Sequence, residues 1–596
     1  MSKWKELINA FHYIPRLFNL IWETDKMYLV FMVCETLAFA VMEYPAVILS
    51  KYALDAMTKG SEYRVYALIC SMLVLLGFSI NTLKSKLNDI RPARTYLVRG
   101  KLYNAFHKKC MEIDYELLAE KEIQELQTFA GEFIQFKLSG MVWNFVSLFS
   151  TMIAFVISCV LLSVVHPILI FIAVADVLID STVLAIIIPK RFRLVKECSE
   201  KNRIVSYIHE LATSEKAAKD LRIFEMSEKL LNREHEQNEK IFLLHRAINN
   251  LDFTKSIISL LLSQGANFAI YTILGWYALT GRLSVGSFSL VVGNLLLFRR
   301  YFGSISETLV GYTETAKHIE YYNRFMNLES RFHLTGHLPT NLQQEDLYTI
   351  EFRDVSFRYP GQTEYALEHF NLTVNSGERI CVVGENGAGK STMIKLLMRL
   401  YDPSDGIILL NGIDIREYDY EEYLSLFAPV FQDYRLFAYT VAENISSFEY
   451  GKEEKVREAA KKAEISRYIE NLPDGYDTYV TKQFDEDGVI FSGGEQQKIA
   501  IARSYYKTDA LIIVLDEPTS ALDPRAEVRL YEQFNELIGK NTAFFISHRL
   551  SISRFCDKIV VIGNGKVLEF GTHEELIEKG GMYSDLYRLQ AGYFSN

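Results

Sequence analysis

Gly384-Glu385-Asn386-Gly387-Ala388-Gly389-Lys390-Ser391-Thr392 is the stretch that decides the fold of the carboxyl half. The apolar run before it, Ile380-Cys381-Val382-Val383, reads as a buried strand. Met393, Ile394, Leu396, Leu397 and Leu400 follow it with the spacing of one helical face. Strand, glycine-rich loop and helix form the setting in which G-x-x-x-x-G-K-[ST] becomes a P-loop. Gly384, Gly387 and Gly389 permit backbone conformations that a side chain would block. Exposed N–H groups and the helix N-terminus then cradle phosphates. Lys390 is suited to reach the β- and γ-phosphates, and Ser391 to hold Mg²⁺. By itself the loop specifies a nucleoside triphosphate and no more.

Two further stretches narrow the chemistry. Leu511-Ile512-Ile513-Val514-Leu515 is a strand-like run that ends in Asp516 and Glu517. Phosphoryl transfer needs positioning and charge neutralisation more than covalent chemistry. Two adjacent carboxylates can divide those tasks, Asp516 holding Mg²⁺ through water and Glu517 polarising the attacking water. Between the two motifs lies Phe491-Ser492-Gly493-Gly494-Glu495-Gln496-Gln497, opening a helical pattern that carries Lys498 and Arg503. Ser-Gly-Gly at a helix start is a second backbone anion site. One compact domain does not easily turn two such loops on a single ATP, so the second is expected to serve a nucleotide bound to a partner subunit. Tyr359 lies upstream of the P-loop and is able to stack on an adenine, although an aromatic at this place is a weak signal by itself.

The amino-terminal half has a different solvent. Six apolar stretches, residues 27–49, 65–83, 141–165, 167–188, 257–279 and 285–305, are long enough to cross a bilayer core. Long polar segments separate the second from the third and the fourth from the fifth; His166-Pro167 and Thr280-Gly281-Arg282 are the short joints. Helices therefore extend far from one membrane face only. That face carries Lys84, Lys86, Arg91, Arg94, Arg99, Lys101, Lys190, Arg191 and Arg193, which marks it as cytoplasmic. An even number of crossings returns the carboxyl half to the cytoplasm. The domains expected are 1–335 in the membrane, a linker at 336–346 and a nucleotide-binding domain at 347–596.

Glu35 and Glu43 in the first stretch, and Asp176 and Asp180 in the fourth, are expensive in lipid. Asp176 and Asp180 share a helix face. These four acids are candidates to line a cavity for cationic substrate groups, against the plainer reading of helix-packing partners for residues such as Arg299 and Arg300. The formal net charge of −10 argues against a nucleic-acid partner. Seven cysteines without a C-x-x-C pair read as reduced and mostly buried. No signal-peptide pattern is evident at the amino terminus.

Taken with their order and spacing, these motifs resemble an ATP-binding cassette exporter half-transporter along essentially the whole chain. Residues 384–392 are similar to its Walker A and 511–517 to its Walker B. The resemblance implies that Gln432 is the Q-loop glutamine, contacting Mg²⁺ and sensing the membrane domain. It implies that Ser520 and Asp523 belong to the D-loop, that His548 is the switch histidine on the γ-phosphate, and that Tyr359 stacks on adenine. Segments 113–127 and 213–224 sit where the family places its two coupling helices. The signature loop departs from Leu-Ser-Gly-Gly-Gln: Phe491 and Glu495 replace its ends, while Ser492, Gly493 and Gly494 are kept. Glu495 puts a negative charge near the partner's ATP, which is expected to weaken the closed dimer or alter turnover.

The resemblance implies a six-helix membrane domain followed by an α/β P-loop domain, working as a dimer that sandwiches two ATP molecules and Mg²⁺, with a homodimer favoured over a heterodimer. It implies a multi-pass protein of a bacterial plasma membrane, with ATP hydrolysis driving export by alternating access. A peptide is the favoured substrate, with lipid flipping or multidrug export as alternatives. The 26 residues before the first stretch leave no room for the amino-terminal cysteine protease of leader-cleaving exporters. An importer is disfavoured by the fused membrane half, and a soluble DNA-repair ATPase by the six stretches. An ATP-regulated channel or receptor is the alternative from another class.

Overall fold

The structure is a computed structural model that describes residues 14–60, 62–165, 168–330, 332, 336–343, 346–517, 538–547 and 550–593. His548, Ser520 and Asp523 lie outside the described residues, as do the side chains of Asp176 and Asp180. The chain forms two compact units. One is Met1–Lys108 with Gln127–Met326, and the other is Lys109–Leu126 with Asn327–Asn596.

The described residues of the amino-terminal half form helices joined by short connections: α1 (Ile14–Thr24), α2 (Lys26–Val41), α3 (Tyr44–Thr58), α4 (Tyr63–Glu112), α5 (Tyr115–Leu118), α6 (Lys121–Glu132), α7 (Leu138–Val165), α8 (Ile168–Thr213), α9 (Glu215–Ile223), α10 (Ser227–Leu279) and α11 (Val285–Met326). Asp25 caps α2 by accepting from the Tyr28 N–H at 3.3 Å. The stretch read as one crossing at 27–49 falls on α2 and α3, which meet at Met42-Glu43 with helical backbone at both residues and together make one candidate span. Pro45 stands in the first turn of α3 and has no N–H to donate, so the hydrogen-bond ladder lapses there while the backbone stays helical. Past the sixth stretch α11 runs on unbroken to Met326.

Four helical segments among the described residues are long and apolar enough to cross a membrane: Lys26–Thr58 (α2 with α3), Tyr63–Glu112 (α4), Lys121–Ser163 (α6 with most of α7) and Ser227–Leu279 (α10). Stretches 167–188 and 285–305 fall on α8 and α11. Leu68, Val74, Leu75 and Phe78 of α4 point outward, at 59, 69, 65 and 72 % exposure, which suits a helix whose solvent is lipid.

Polar pairs tie these helices together. Ser158 donates to the Asn294 carboxamide at 2.7 Å, and Asn294 returns a bond to the Ser158 carbonyl at 2.9 Å, both fully buried. The Gly286 N–H donates to Asp55 at 2.9 Å, and a Cβ on Gly286 would lie 2.2 Å from the Lys51 carbonyl, so only glycine admits this approach of α11 to α3.

Of the two candidate acids with described side chains, Glu35 does not line an open cavity. It is 0 % exposed, and Arg91 donates to it at 2.6 Å while lying 4.2 Å from the Trp143 ring centroid. A carboxylate at this depth needs a cation, and α4 supplies it. Glu43 accepts two bonds from Arg300, at 2.9 and 2.7 Å, and stays partly exposed. Arg299 instead donates to Asn267 and the Ser263 carbonyl, each at 2.9 Å.

The second unit contains β1 (Thr349–Phe357), β2 (Leu367–Asn375), β3 (Arg379–Gly384), α12 (Lys390–Leu397), β4 (Asp405–Leu410), β5 (Ile413–Asp414), α13 (Tyr420–Ser425), β6 (Phe427–Val430), α14 (Val441–Ser446), α15 (Glu453–Lys462), α16 (Ser466–Glu470), α17 (Gly493–Tyr506), β7 (Ile512–Asp516), β8 (Thr542–Ile546), β9 (Lys558–Gly563), β10 (Lys566–Gly571), α18 (His573–Lys579) and α19 (Met582–Tyr593). An antiparallel sheet runs β2-β1-β4-β5, and a larger one runs β10-β9-β3-β8-β7-β6. Within the larger sheet β6, β7, β8, β3 and β9 are parallel, with β10 antiparallel on the edge.

The apolar run of β3 has two cores to fill. Cys381 and Val383 face one, with Ile499 and Phe545; Ile380 and Val382 face the other, with Met393 and Phe544. Burial on both faces is why the run does not alternate with polar residues. Because β3, β8 and β7 are parallel neighbours, the loops after β3 and β7 emerge at the same sheet edge.

The expected linker is not free chain. The His337 and Leu338 N–H groups both donate to the Glu417 carbonyl at 3.0 Å, and a Cβ on Gly336 would lie 1.9 Å from the Tyr418 carbonyl.

Candidate functional site

The loop between β3 and α12 is shaped by its glycines. Gly384 and Gly389 have φ of 155° and 106°, and a Cβ would meet the Ile562 carbonyl at 2.2 Å in the first and the Ala366 carbonyl at 2.6 Å in the second. Glu385, Asn386 and Gly387 form the exposed tip, while Ala388 is buried and its N–H closes a turn onto Glu385 at 3.2 Å.

Lys390 opens α12 and is buried, its ammonium donating to the Gly384 and Glu385 carbonyls at 2.9 Å each. Burial holds its pKa below the ordinary lysine value, against the opposing pull of Glu517 and Asp516. An ammonium held here gains from polyanionic phosphate.

The carboxylates at the end of β7 face this loop. Asp516 is buried beside the Ser391 hydroxyl, whose nearness favours its ionised form, and its Oδ1 has no hydrogen-bond partner. Its pKa is pushed up to about 6, by burial first and by the charge of Glu517 second. A buried carboxylate with an unsatisfied oxygen beside a hydroxyl is a hard-oxygen donor set that fits Mg²⁺.

Glu517 leaves the strand with φ 46°, in the left-handed region that a glutamate rarely enters, while its N–H still bonds Ile546 at 3.0 Å. That turn directs the carboxylate toward Gln432, whose side-chain amide donates to it at 2.8 Å. Ser391, Gln432, Asp516 and Glu517, drawn from three separate motifs, thus stand together.

Tyr359 is half-buried beside the same helix, sharing a 3.0 Å hydroxyl contact with Thr392. Lys395 lies 5.7 Å from its ring centroid.

The signature stretch starts α17. Ser492 is its N-cap and Glu495 the third helical residue: the serine hydroxyl accepts from the Glu495 N–H, and the Glu495 carboxylate accepts from the Ser492 N–H at 2.8 Å. This reciprocal pair is a capping box. Tyr468 lies beside the Glu495 side chain, and burial first and that charge second raise the pKa of the phenol. The charge of Glu495 is therefore engaged within its own helix end. The S-x-x-E spacing was open to this reading from the residues alone. Phe491, the other departure, is 2 % exposed and packs its ring against Tyr468 at 5.8 Å.

A further element is absent from the motif reading. Arg503, on α17, donates to the Asn444 carbonyl at 2.8 Å and the Arg435 carbonyl at 3.2 Å. Asn444 accepts from the Phe437 N–H at 2.8 Å and donates to the Phe437 carbonyl at 2.9 Å. Asn444 is 1 % exposed, so these bonds clamp the segment after Gln432 to the signature helix.

Residues 367–520 match the ABC transporter family. The chain is 27 % identical to the subtilin transport ATP-binding protein SpaT of Bacillus subtilis, over 98 % of this chain and 95 % of that protein. It is 33 % identical to the putative multidrug export ATP-binding/permease protein YgaD of Bacillus subtilis (strain 168), over 60 % of this chain and 62 % of that protein. An ATP-dependent lipid A-core flippase of Escherichia coli (strain K12) is 40 % identical over 41 % of each chain. Among solved structures, a bacterial Atm1-family ABC exporter with ATP bound superposes with a TM-score of 0.78 at 24 % identity, covering 95 % of this chain and 98 % of that one.

Proposed function

From the premise that this chain carries an ABC transporter ATPase domain behind a helical membrane domain, and that its relatives are ABC exporters, we propose that it exports a peptide as one half of a dimer. The observation that carries the ATP-driven part is the convergence of Ser391, Asp516, Gln432 and Glu517 beside a P-loop whose lysine is buried. Lys390 and the loop N–H groups bind the phosphates. Ser391, Asp516 and Gln432 would hold Mg²⁺, which would supply charge neutralisation for the transferred phosphoryl group. Glu517 orients and polarises the attacking water, and His548 contacts the γ-phosphate. Each chain's Ser492, Gly493 and Gly494 close on the partner's ATP, and Ser520 and Asp523 line that contact. ATP binds the closed dimer better than the open one and shifts the population toward it.

Six crossings bring both termini to the cytoplasm, in keeping with basic residues on the long connections. The peptide reading is supported by the relative named for subtilin transport, whose alignment runs through the membrane half, whereas the flippase alignment spans 41 % of this chain. Glu43 and the two acids of α8 are the groups proposed to meet a cationic substrate. Inverted membrane vesicles supplied with MgATP are expected to accumulate a peptide such as subtilin. Uptake of a lipid or dye in its place, with no peptide transport, would move the assignment to flipping or multidrug export. ATP-gated ion flux without solute accumulation would favour a channel.

A further inference from the structure

Tyr359 is one member of a row of rings. Its edge meets Tyr401 at a centroid separation of 5.3 Å and an interplanar angle of 88°. Tyr401 meets Tyr115 in the same way, at 5.6 Å and 87°. Phe357 fills the corner, 5.0 Å from Tyr359 and 5.4 Å from Tyr401. Edge-to-face pairs are directional, because the positive edge of one ring seeks the negative face of the next. A rotation of one ring therefore changes the preferred orientation of its neighbour.

The two ends of the row sit in different machinery. Tyr359 is tied to the P-loop helix through Thr392. Tyr115 opens α5, within the short connection between α4 and α6, and this connection belongs to the same compact unit as the P-loop. The connection is anchored beside Tyr115, where the Ser330 hydroxyl donates to Asp114, and again where the Lys109 ammonium donates to the Leu328 carbonyl.

The middle of the row is held firmly. Tyr401 is 4 % exposed. It follows Arg399, which has no exposure and a φ of 51°, and whose guanidinium lies 5.4 Å from the Phe332 ring centroid and 5.6 Å from that of Tyr420. A ring fixed between two others, on backbone pinned by a buried cation, passes on a displacement where a mobile ring would absorb it.

We propose that Tyr401 is a positioning residue that transmits the seating of a purine base on Tyr359 to the Tyr115 connection, and through it to α4 and α6. The proposal rests on the reading of residues 384–392 and Tyr359 as an ATP site. It assigns the base, and not the phosphates, the task of reporting occupancy to this connection.

Hydrogen–deuterium exchange on the full chain in lipid nanodiscs tests it, in a Glu517→Gln background to prevent turnover. MgATP is expected to slow exchange in both 384–392 and 113–120. Magnesium tripolyphosphate, which has no base, is expected to slow only the first. Tyr401→Leu keeps the P-loop effect within about twofold and loses at least about two thirds of the effect at 113–120. Tyr401→Phe keeps both, because the ring makes the contacts. A merely structural ring predicts faster exchange in Tyr401→Leu with and without nucleotide, with the MgATP-dependent difference at 113–120 unchanged; that result overturns the proposal. So does equal protection of 113–120 by tripolyphosphate, or loss of both effects in Tyr401→Leu. If MgATP slows neither segment in the parent, the ATP-site reading fails as well, which the other outcomes leave standing.

Discussion

Glu517 is held in left-handed backbone at the end of β7, and Gln432 binds its carboxylate at 2.8 Å. Its replacement by glutamine keeps the size and loses the charge proposed to polarise the attacking water. Glu517→Gln is expected to lower phosphate release by at least about 100-fold while fluorescent ATP analogues still bind. Retained hydrolysis would assign the base to another group. Asp516 makes a prediction of a different kind. Its carboxyl is pushed up to about 6, above the usual aspartate value, so in the nucleotide-free protein its contribution to stability falls as pH rises through that value. A divalent cation requires the ionised form. Mg²⁺ affinity in the presence of ATP, measured by calorimetry, is therefore expected to weaken as pH drops below about 6, with proton release on binding near that pH. An affinity unchanged across that value would show that Asp516 does not hold the ion.

At the scale of elements, the start of α17 accounts for the unusual signature residue. Ser492→Ala removes one half of the capping box and is expected to cost about 1 kcal/mol, seen as a lower thermal midpoint. Glu495→Gln keeps an acceptor for the Ser492 N–H, so it should leave the midpoint nearly unchanged and shift ATPase activity by less than about threefold. A tenfold rise would show instead that the charge acts on nucleotide. Asn444→Ala breaks a buried cluster of bonds to Phe437 and Arg503 and is expected to destabilise the domain by about 2–3 kcal/mol, with faster proteolysis after Gln432. These elements also mark the limit of what residues alone disclose. The P-loop and the carboxylates of β7 are legible because strand, loop and helix are adjacent in sequence. The role of Gln432 needed a resemblance, since a lone glutamine carries no local signal. The capping box was present in the spacing but lay hidden under a phosphate reading of the same serine. The Tyr115–Tyr401 contact and the Arg91 partner of Glu35 join residues far apart in sequence, and periodicity has no bearing on them.

At the scale of the molecule, outward-facing apolar residues on α4 require lipid or detergent. The protein is expected in the membrane fraction, and its recovery from a high-salt wash without detergent would contradict the transport reading. The uneven make-up of α10 has a mechanical consequence. Its polar first part, residues 227–256, precedes the apolar 257–279 in one unbroken helix. At 1.5 Å per residue the polar part reaches about 45 Å beyond a bilayer segment of about 35 Å. Pivoted at the bilayer centre, such a rod has arms of about 60 Å and about 17 Å, so a tilt of about 3° moves the far tip by ~3 Å and the other end by under ~1 Å. The helix is then a lever with unequal arms. It trades travel at the polar tip for a several-fold gain in force at the apolar end, where packed helices yield only to small, strong displacements.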